Sequence, residues 1–229
     1  MAIYAIGDLH FSVAAKKPMD IFAGWDNHAE KIIQNWQKKI KQEDTVVLAG
    51  DTSWGMTLQQ ALPDFRLIHK LPGTKLILKG NHDYWWGSVA KMTGLFEQNG
   101  LDTLHILHNN SFFVEGVNIC GSRGWMFESG EPHDDKIIKR EAIRIEASLK
   151  AAEKTDGETI LFLHYPPLYA GQVQEPFMEL MRKYSITRCY YGHIHGVGHK
   201  YAIQGNHRGI AFHMISSDAI GFNPVCIQP

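Results

Sequence analysis

Seven side chains in this sequence form a set that could bind metal ions: Asp8, His10, Asp51, Asn81, His164, His193 and His195. Carboxylate, amide oxygen and neutral imidazole suit divalent Mn, Fe, Zn or Ni, with Mg a weaker match because imidazole serves it poorly. Two such ions a few ångströms apart need about seven side-chain donors and one shared bridge, so the set is large enough for a dinuclear centre. Gly7, Gly50, Gly80 and Gly192 stand directly before Asp8, Asp51, Asn81 and His193, where they let the backbone turn sharply. In Gly192-His193-Ile194-His195, alternate residues of an extended segment point the same way. Both imidazoles are therefore expected to face one cluster, with Ile194 in the core. Read singly, each block is a turn or a satisfied histidine. Read jointly, five blocks in one order fill a two-metal site, which unrelated turns do not explain.

The elements that must position these residues follow from the apolar runs before them. Residues 2–6, 45–49 and 75–79 read as buried strands ending at Gly7-Asp8, Gly50-Asp51 and Gly80-Asn81-His82-Asp83. Between them, Asp26 is expected to cap a helix with Ala29, Ile33, Trp36 and Ile40 on one face. Thr57 is expected to cap another, carrying Leu58, Leu62, Phe65 and Ile68 and kinked or divided at Pro63. This βαβαβ order puts the chemistry at C-terminal strand ends, where ligands collect in open α/β sheets.

Further on, residues 88–98 read as a helix, 104–107 as a strand, and 112–114 with 117–120 as a hairpin around Glu115-Gly116. Gly121-Ser122-Arg123-Gly124-Trp125 opens a polar loop through His133, and a long helix over 135–153 follows. A strand at 159–163 runs into His164-Tyr165-Pro166-Pro167, whose prolines force an extended exit. A helix over 175–184 and a strand at 188–191 lead to Gly192. Residues 210–215 and 225–227 are expected to close a second sheet.

At 229 residues, with no low-complexity linker and no repeat, the chain reads as one α/β domain over 1–229. A composition of 44% hydrophobic and 21% charged residues is that of a globular protein, and a net charge of -1 gives no sign of a general nucleic-acid or membrane-surface binder. No apolar run reaches bilayer-spanning length and the first residues lack a signal pattern, so a cytoplasmic protein is expected. Cys120, Cys189 and Cys226 are odd in number and lack C-x-x-C spacing, which argues against a disulfide framework and a thiolate metal site. The Asn109-Asn110-Ser111 sequon then counts as a turn.

Taken together, Asp8-x-His10, Gly50-Asp51, Gly80-Asn81-His82-Asp83, His164 and Gly192-His193-Ile194-His195 resemble the five-block signature of the calcineurin-like metallophosphoesterase superfamily. The resemblance implies a four-layer α/β sandwich, two mixed β-sheets flanked by helices, with metals at the strand ends. It implies that Asp8, His10 and His195 hold one metal, Asn81, His164 and His193 the other, and that Asp51 bridges them. It also implies a hydrolase of phosphate esters in which a metal-bridging hydroxide is the nucleophile and His82, not a ligand, stands by the leaving-group oxygen. One departure argues against the serine/threonine protein phosphatase branch. That branch carries an acid three residues after the bridging Asp, where this chain has Trp54. Asp83 is then the candidate to orient His82.

Around these blocks, Trp54, Trp85 and Trp86 are candidate substrate contacts, alongside Tyr84 and Trp125, with packing beneath a helix the alternative for Trp85 and Trp86. Arg123 is a candidate phosphate grip, or else a surface arginine in a turn. Of the remaining histidines, His133, His199, His207 and His213 are assigned to the periphery, and His28, His69, His105 and His108 read as ordinary surface or satisfied histidines. The absence of a cap domain favours a phosphodiester or small nucleotide. Monoesterase and diphosphatase activities of the same fold stay open, as does a non-catalytic metal-binding protein. Manganese is the metal to test first. Lys16-Lys17 and Lys38-Lys39 are too short and isolated for a nucleic-acid stripe.

Overall fold

The computed structural model describes residues 1–126 and 135–229. The part of the expected polar loop over 127–134, His133 included, lies outside them. Strands β1 (Ile3–Ile6), β2 (Thr45–Leu48), β3 (Thr74–Ile77) and β4 (Leu104–Ile106) run parallel in that order. Helices α1 (His28–Lys39), α2 (Leu58–Lys70) and α3 (Val89–Gln98) connect them on one face. Strands β5 (Ser111–Val114) and β6 (Val117–Ser122) form the expected hairpin, turning at Glu115 and Gly116, both with positive φ. After α4 (Asp135–Ala152) comes β7 (Glu158–Leu163), then a two-stranded ribbon of β8 (Leu168–Tyr169) and β9 (Gln172–Val173). Helix α5 (Glu175–Lys183), β10 (Arg188–Tyr191), a short 3-10 helix (Gly196–Tyr201), β11 (Gly205–His207), β12 (Ile210–Met214) and β13 (Val225–Gln228) complete the chain.

Two large mixed sheets result, ordered β13-β1-β2-β3-β4 and β11-β12-β10-β7-β6-β5. Central parallel strands such as β1 and β2 are buried on both faces, which is why their sequences are near-continuous apolar runs, whereas β4 alternates and leaves His105 exposed. Along β2, Val46 and Leu48 face α1 to α3 while Val47 faces the other sheet. Along β7, Leu161 and Leu163 face α4 and α5, and Ile160 and Phe162 face inward. The inner core joins Ile3, Ala5, Leu76, Ile119, Phe162 and Tyr190 between the sheets. This is the four-layer sandwich expected from the sequence.

Three local expectations are corrected. The last strand, β13, pairs antiparallel with β1 and so completes the first sheet; only β11 and β12 of the tail join the second. Asp26 does not cap α1. The N-cap is Asn27, in the left-handed conformation that asparagine tolerates, without a side-chain cap bond. Thr57 does cap α2, accepting from the Gln60 amide at 3.3 Å. Pro63 does not divide α2 into two helices: the element is continuous through Lys70, its face anchored by buried Ala61, Leu62, Phe65 and Ile68.

Candidate metal centre

The loops after β1, β2, β3, β7 and β10 bring the blocks to one edge of the sandwich. They do so through unusual backbone. Asp8 (φ 60), His10 (φ 47), Asp51 (φ 51) and His193 (φ 72) all adopt the left-handed region, which costs L-residues free energy and recurs at functional sites. The glycines beside them leave space for close approach. A Cβ on Gly50 would sit 2.7 Å from His164 Nδ1, and one on Gly192 would sit 2.6 Å from Asp8 Oδ2.

Asp8, His10 and His195 present one ligand atom each to a common point, and Asp8, Asp51 and His164 do the same. Asp51 Oδ2 lies 3.5 Å from His164 Nε2 and 3.7 Å from His10 Nε2, separations longer than an ordinary hydrogen bond. Asp8 Oδ1 is 3.4 Å from His195 Nε2. The Asn81 amide oxygen faces His164 Nε2 at 2.6 Å and His193 Nδ1 at 3.0 Å. His193 reaches this position through its left-handed backbone, not by the strand alternation expected from the sequence, while Ile194 is buried as expected.

Protonation states follow from burial and charge. Burial pushes His164 down to about 3 and holds His10 well below the usual imidazole range, so both rings are neutral. With Nδ1 donating to the Ala49 carbonyl at 2.9 Å, His164 Nε2 carries a lone pair aimed at the Asn81 oxygen. With the amide oxygen so oriented the two lone pairs repel, and a cation lying against both atoms would relieve that repulsion. Burial, then the Asp83 and Asp8 charges, raise the Asp51 carboxyl well above its usual range. Burial also works to raise Asp8, but His195, His164 and His10 outweigh it and hold that group low. Burial opposes charge on His195 as well, yet Asp8 and Asp218 raise it to about 10. Buried carboxylates, neutral rings and the orphaned Nδ1 of His10 are a donor set that fits divalent cations.

His82 lies beside this centre, not in it. Its amide donates to Asp51 Oδ1 at 2.8 Å, its ring packs 4.6 Å from Trp54, and its Nδ1 is 3.3 Å from the Tyr84 hydroxyl. Asp83 does not orient it. The Asp83 carboxylate accepts from the amides of Gly80 (2.7 Å), Asp51 (2.9 Å), Thr52 (2.9 Å) and Ser53 (3.3 Å) and from Trp85 Nε1 (2.9 Å). It therefore ties the loop after β2 to the loop after β3.

Among the three tryptophans after the site blocks, Trp54 flanks His82 and stacks on His10 at 4.9 Å. Trp85 is buried against Phe65, and Trp86 packs on Trp85 and His108, so both belong to the helix-side core. Arg123 is largely buried, 3.4 Å from Glu141 and against the Trp125 ring, while its carbonyl accepts the His164 and Tyr165 amides. Its carbonyl thus supports the His164 loop, while its guanidinium is paired with Glu141 and keeps a buried Nε without a hydrogen-bond partner among the described residues.

Two features escaped the sequence. Asp218 accepts from His195 Nδ1 at 2.8 Å and from the Gly196 amide at 2.9 Å. It follows the apolar run of β12 by a few residues, the same strand-end signal that marks the other blocks. Trp25, Met19 and Phe22, from the long loop before α1, line a cleft of about 480 Å³ against Trp54, His82 and His195. No periodicity in that loop marks them out.

The sequence profile of the calcineurin-like phosphoesterase family matches residues 1–197. The chain belongs to that family, and membership implies a metal-dependent hydrolase acting on phosphoric esters. No curated protein sequence matches it. Among solved structures, TT1561 of Thermus thermophilus is similar at 16% identity, covering 99% of this chain and 97% of that chain with a TM-score of 0.58. A protein of unknown function from Aquifex aeolicus, AQ665, is 18% identical over 98% and 95%, with a TM-score of 0.48. Likeness at this level of identity concerns the fold alone.

Proposed function

We propose that this protein is a dinuclear metallophosphoesterase with phosphodiesters or small nucleotides as substrates. The observation that carries the reading is the meeting of neutral His164 Nε2 with the Asn81 oxygen at 2.6 Å, beside buried Asp8 and Asp51. Asp8, His10 and His195 would hold one divalent ion, Asn81, His164 and His193 a second, and Asp51 would reach both. Bound there, the ions would supply an activated water and a clamp on the phosphoryl oxygens.

The remaining work falls to the chain. Ala49, through its carbonyl, and Asp218 fix the tautomers of His164 and His195, so that each turns Nε2 to the centre. His82, half-buried and held between Trp54 and Tyr84, would pass a proton to the departing oxygen. Burial, then the proximity of His193, lowers the pKa of His82.

The test is to strip the protein, titrate manganese, and assay bis(p-nitrophenyl) phosphate and p-nitrophenyl phosphate. The proposal expects two ions per chain and faster diester turnover. One ion per chain would rule out the dinuclear reading, a monoester preference would rule out the substrate assignment, and bound metal without turnover on either would favour a non-catalytic protein.

A further inference from the structure

The cleft beside His82 is chemically one-sided. Its walls are Met19, Phe22, Ala23, Trp25, Trp54 and Val197, and its only ionisable lining groups among the described residues are the imidazoles of His10, His82 and His195 at the metal end. A volume of about 480 Å³ is that of a small-molecule site. The Trp54 indole N–H is directed at the Met19 sulfur at 3.3 Å, so the wall turns its polar atom away from an occupant. Two of these wall residues remain open to solvent: Phe22 is 52% exposed and Val197 86%. Large side chains left in water around an apolar cleft mark a surface built to be covered.

From this lining we infer that the alcohol portion of the substrate is apolar, an alkyl or aryl group that leaves past His82 into the cleft; the inference rests on the phosphoesterase reading above and selects, of its two substrate classes, the phosphodiester over the nucleotide. A sugar or nucleobase would bring hydrogen-bonding groups that this wall cannot satisfy, and burying them unpaired is costly. An apolar group gains by leaving water, up to about 0.8 kcal/mol per methylene, or roughly fourfold in affinity. His82 stands where the phosphoryl group would give way to that wall, the place where a departing oxygen needs a proton.

The test uses manganese-loaded protein and n-alkylphosphonates from methyl to octyl, with calorimetry and the fluorescence of Trp25 and Trp54 as readouts. Kd is expected to fall roughly two- to fourfold per methylene over the first several carbons. Adenosine monophosphate should bind more weakly than octylphosphonate. Phe22→Ser and Val197→Ser, at exposed positions where folding is not at stake, should each flatten the dependence on chain length.

Chain-length-independent Kd, tighter binding of adenosine monophosphate, or an undiminished slope in both variants would overturn the inference. Any of these in a protein that hydrolyses p-nitrophenyl esters would leave the phosphoesterase reading standing. Absence of both hydrolysis and binding at every length would remove the two together.

Discussion

The Asp83 carboxylate holds the backbone of Asp51, accepting its amide at 2.9 Å, while also taking the Gly80 amide at 2.7 Å. One buried acid thereby fixes the spacing between the loop that carries Asp51 and the loop that carries Asn81. Burial pushes this carboxyl up, to about 6, against the pull of its five donors.

Asp83→Asn should therefore behave as a structural lesion. The amide presents one acceptor and an N–H₂ group to donors that need acceptors, for a cost of about 3 kcal/mol. Tm should fall by roughly 6–12 °C, with metal affinity reduced alongside. An unchanged melting curve with lost turnover would instead make Asp83 a catalytic group.

His82→Ala should show the opposite pattern. Its ring is no part of the ligand cluster, so Tm and metal content should match the parent while kcat drops roughly 10²- to 10⁴-fold. Tyr84→Phe removes the hydroxyl 3.3 Å from His82 Nδ1 and should lower kcat severalfold without altering metal content. Equal kcat in His82→Ala and the parent would take the histidine out of the reaction.

Asp218→Asn tests the support of His195. Losing the carboxylate at 2.8 Å weakens the preference for the tautomer that turns Nε2 inward. Metal affinity should fall about 10- to 100-fold by competitive chelator titration. No change would mean that Asp218 merely packs the loop.

Lys75 offers a pH test away from the site. It is fully buried, its ammonium donating to the carbonyls of Leu71 and His69, and burial pushes it down to about 8. The unfolded chain, at about 10.5, thus binds more protons between those values, so stability relative to Lys75→Met should rise with pH across that window. The slope is bounded by about 1.4 kcal/mol per pH unit. Urea melts of both proteins at about pH 7.5, 8.5 and 9.5 check this. A difference independent of pH would refute it.

The central parallel strands were legible because burial on both faces writes an unbroken apolar run, as in residues 46–48 and 160–163, and the turn residues after each run were distinctive; the short β8, β9 and β11 carry no such run. The residues that converge beyond those strand ends were legible for the same reason. The residues that support them were not: Asp83 and Asp218 show their roles through contacts that reach across 32 and 23 residues of sequence. The placement of Trp54 in the cleft and of Trp85 beneath it could not be told apart either. Both follow a site block closely, and only the packing of Phe65 against Trp85 separates them. The tail strand joined an unexpected sheet because an apolar run carries no information about which open edge it will meet.

That tail strand sets the order in which the molecule can be completed. The outer edge of β1 is satisfied by Val225–Gln228, after the whole second sheet has passed in sequence. While the chain emerges during synthesis, β1 to β4 can assemble early with the β1 flank unpaired as well as the β4 edge, an added template for other chains. Closing that flank requires a contact between distant parts of the sequence, as Ile3 with Gln228, which makes it a slow, late event. Aggregation during expression should therefore depend on how quickly the final strand becomes available.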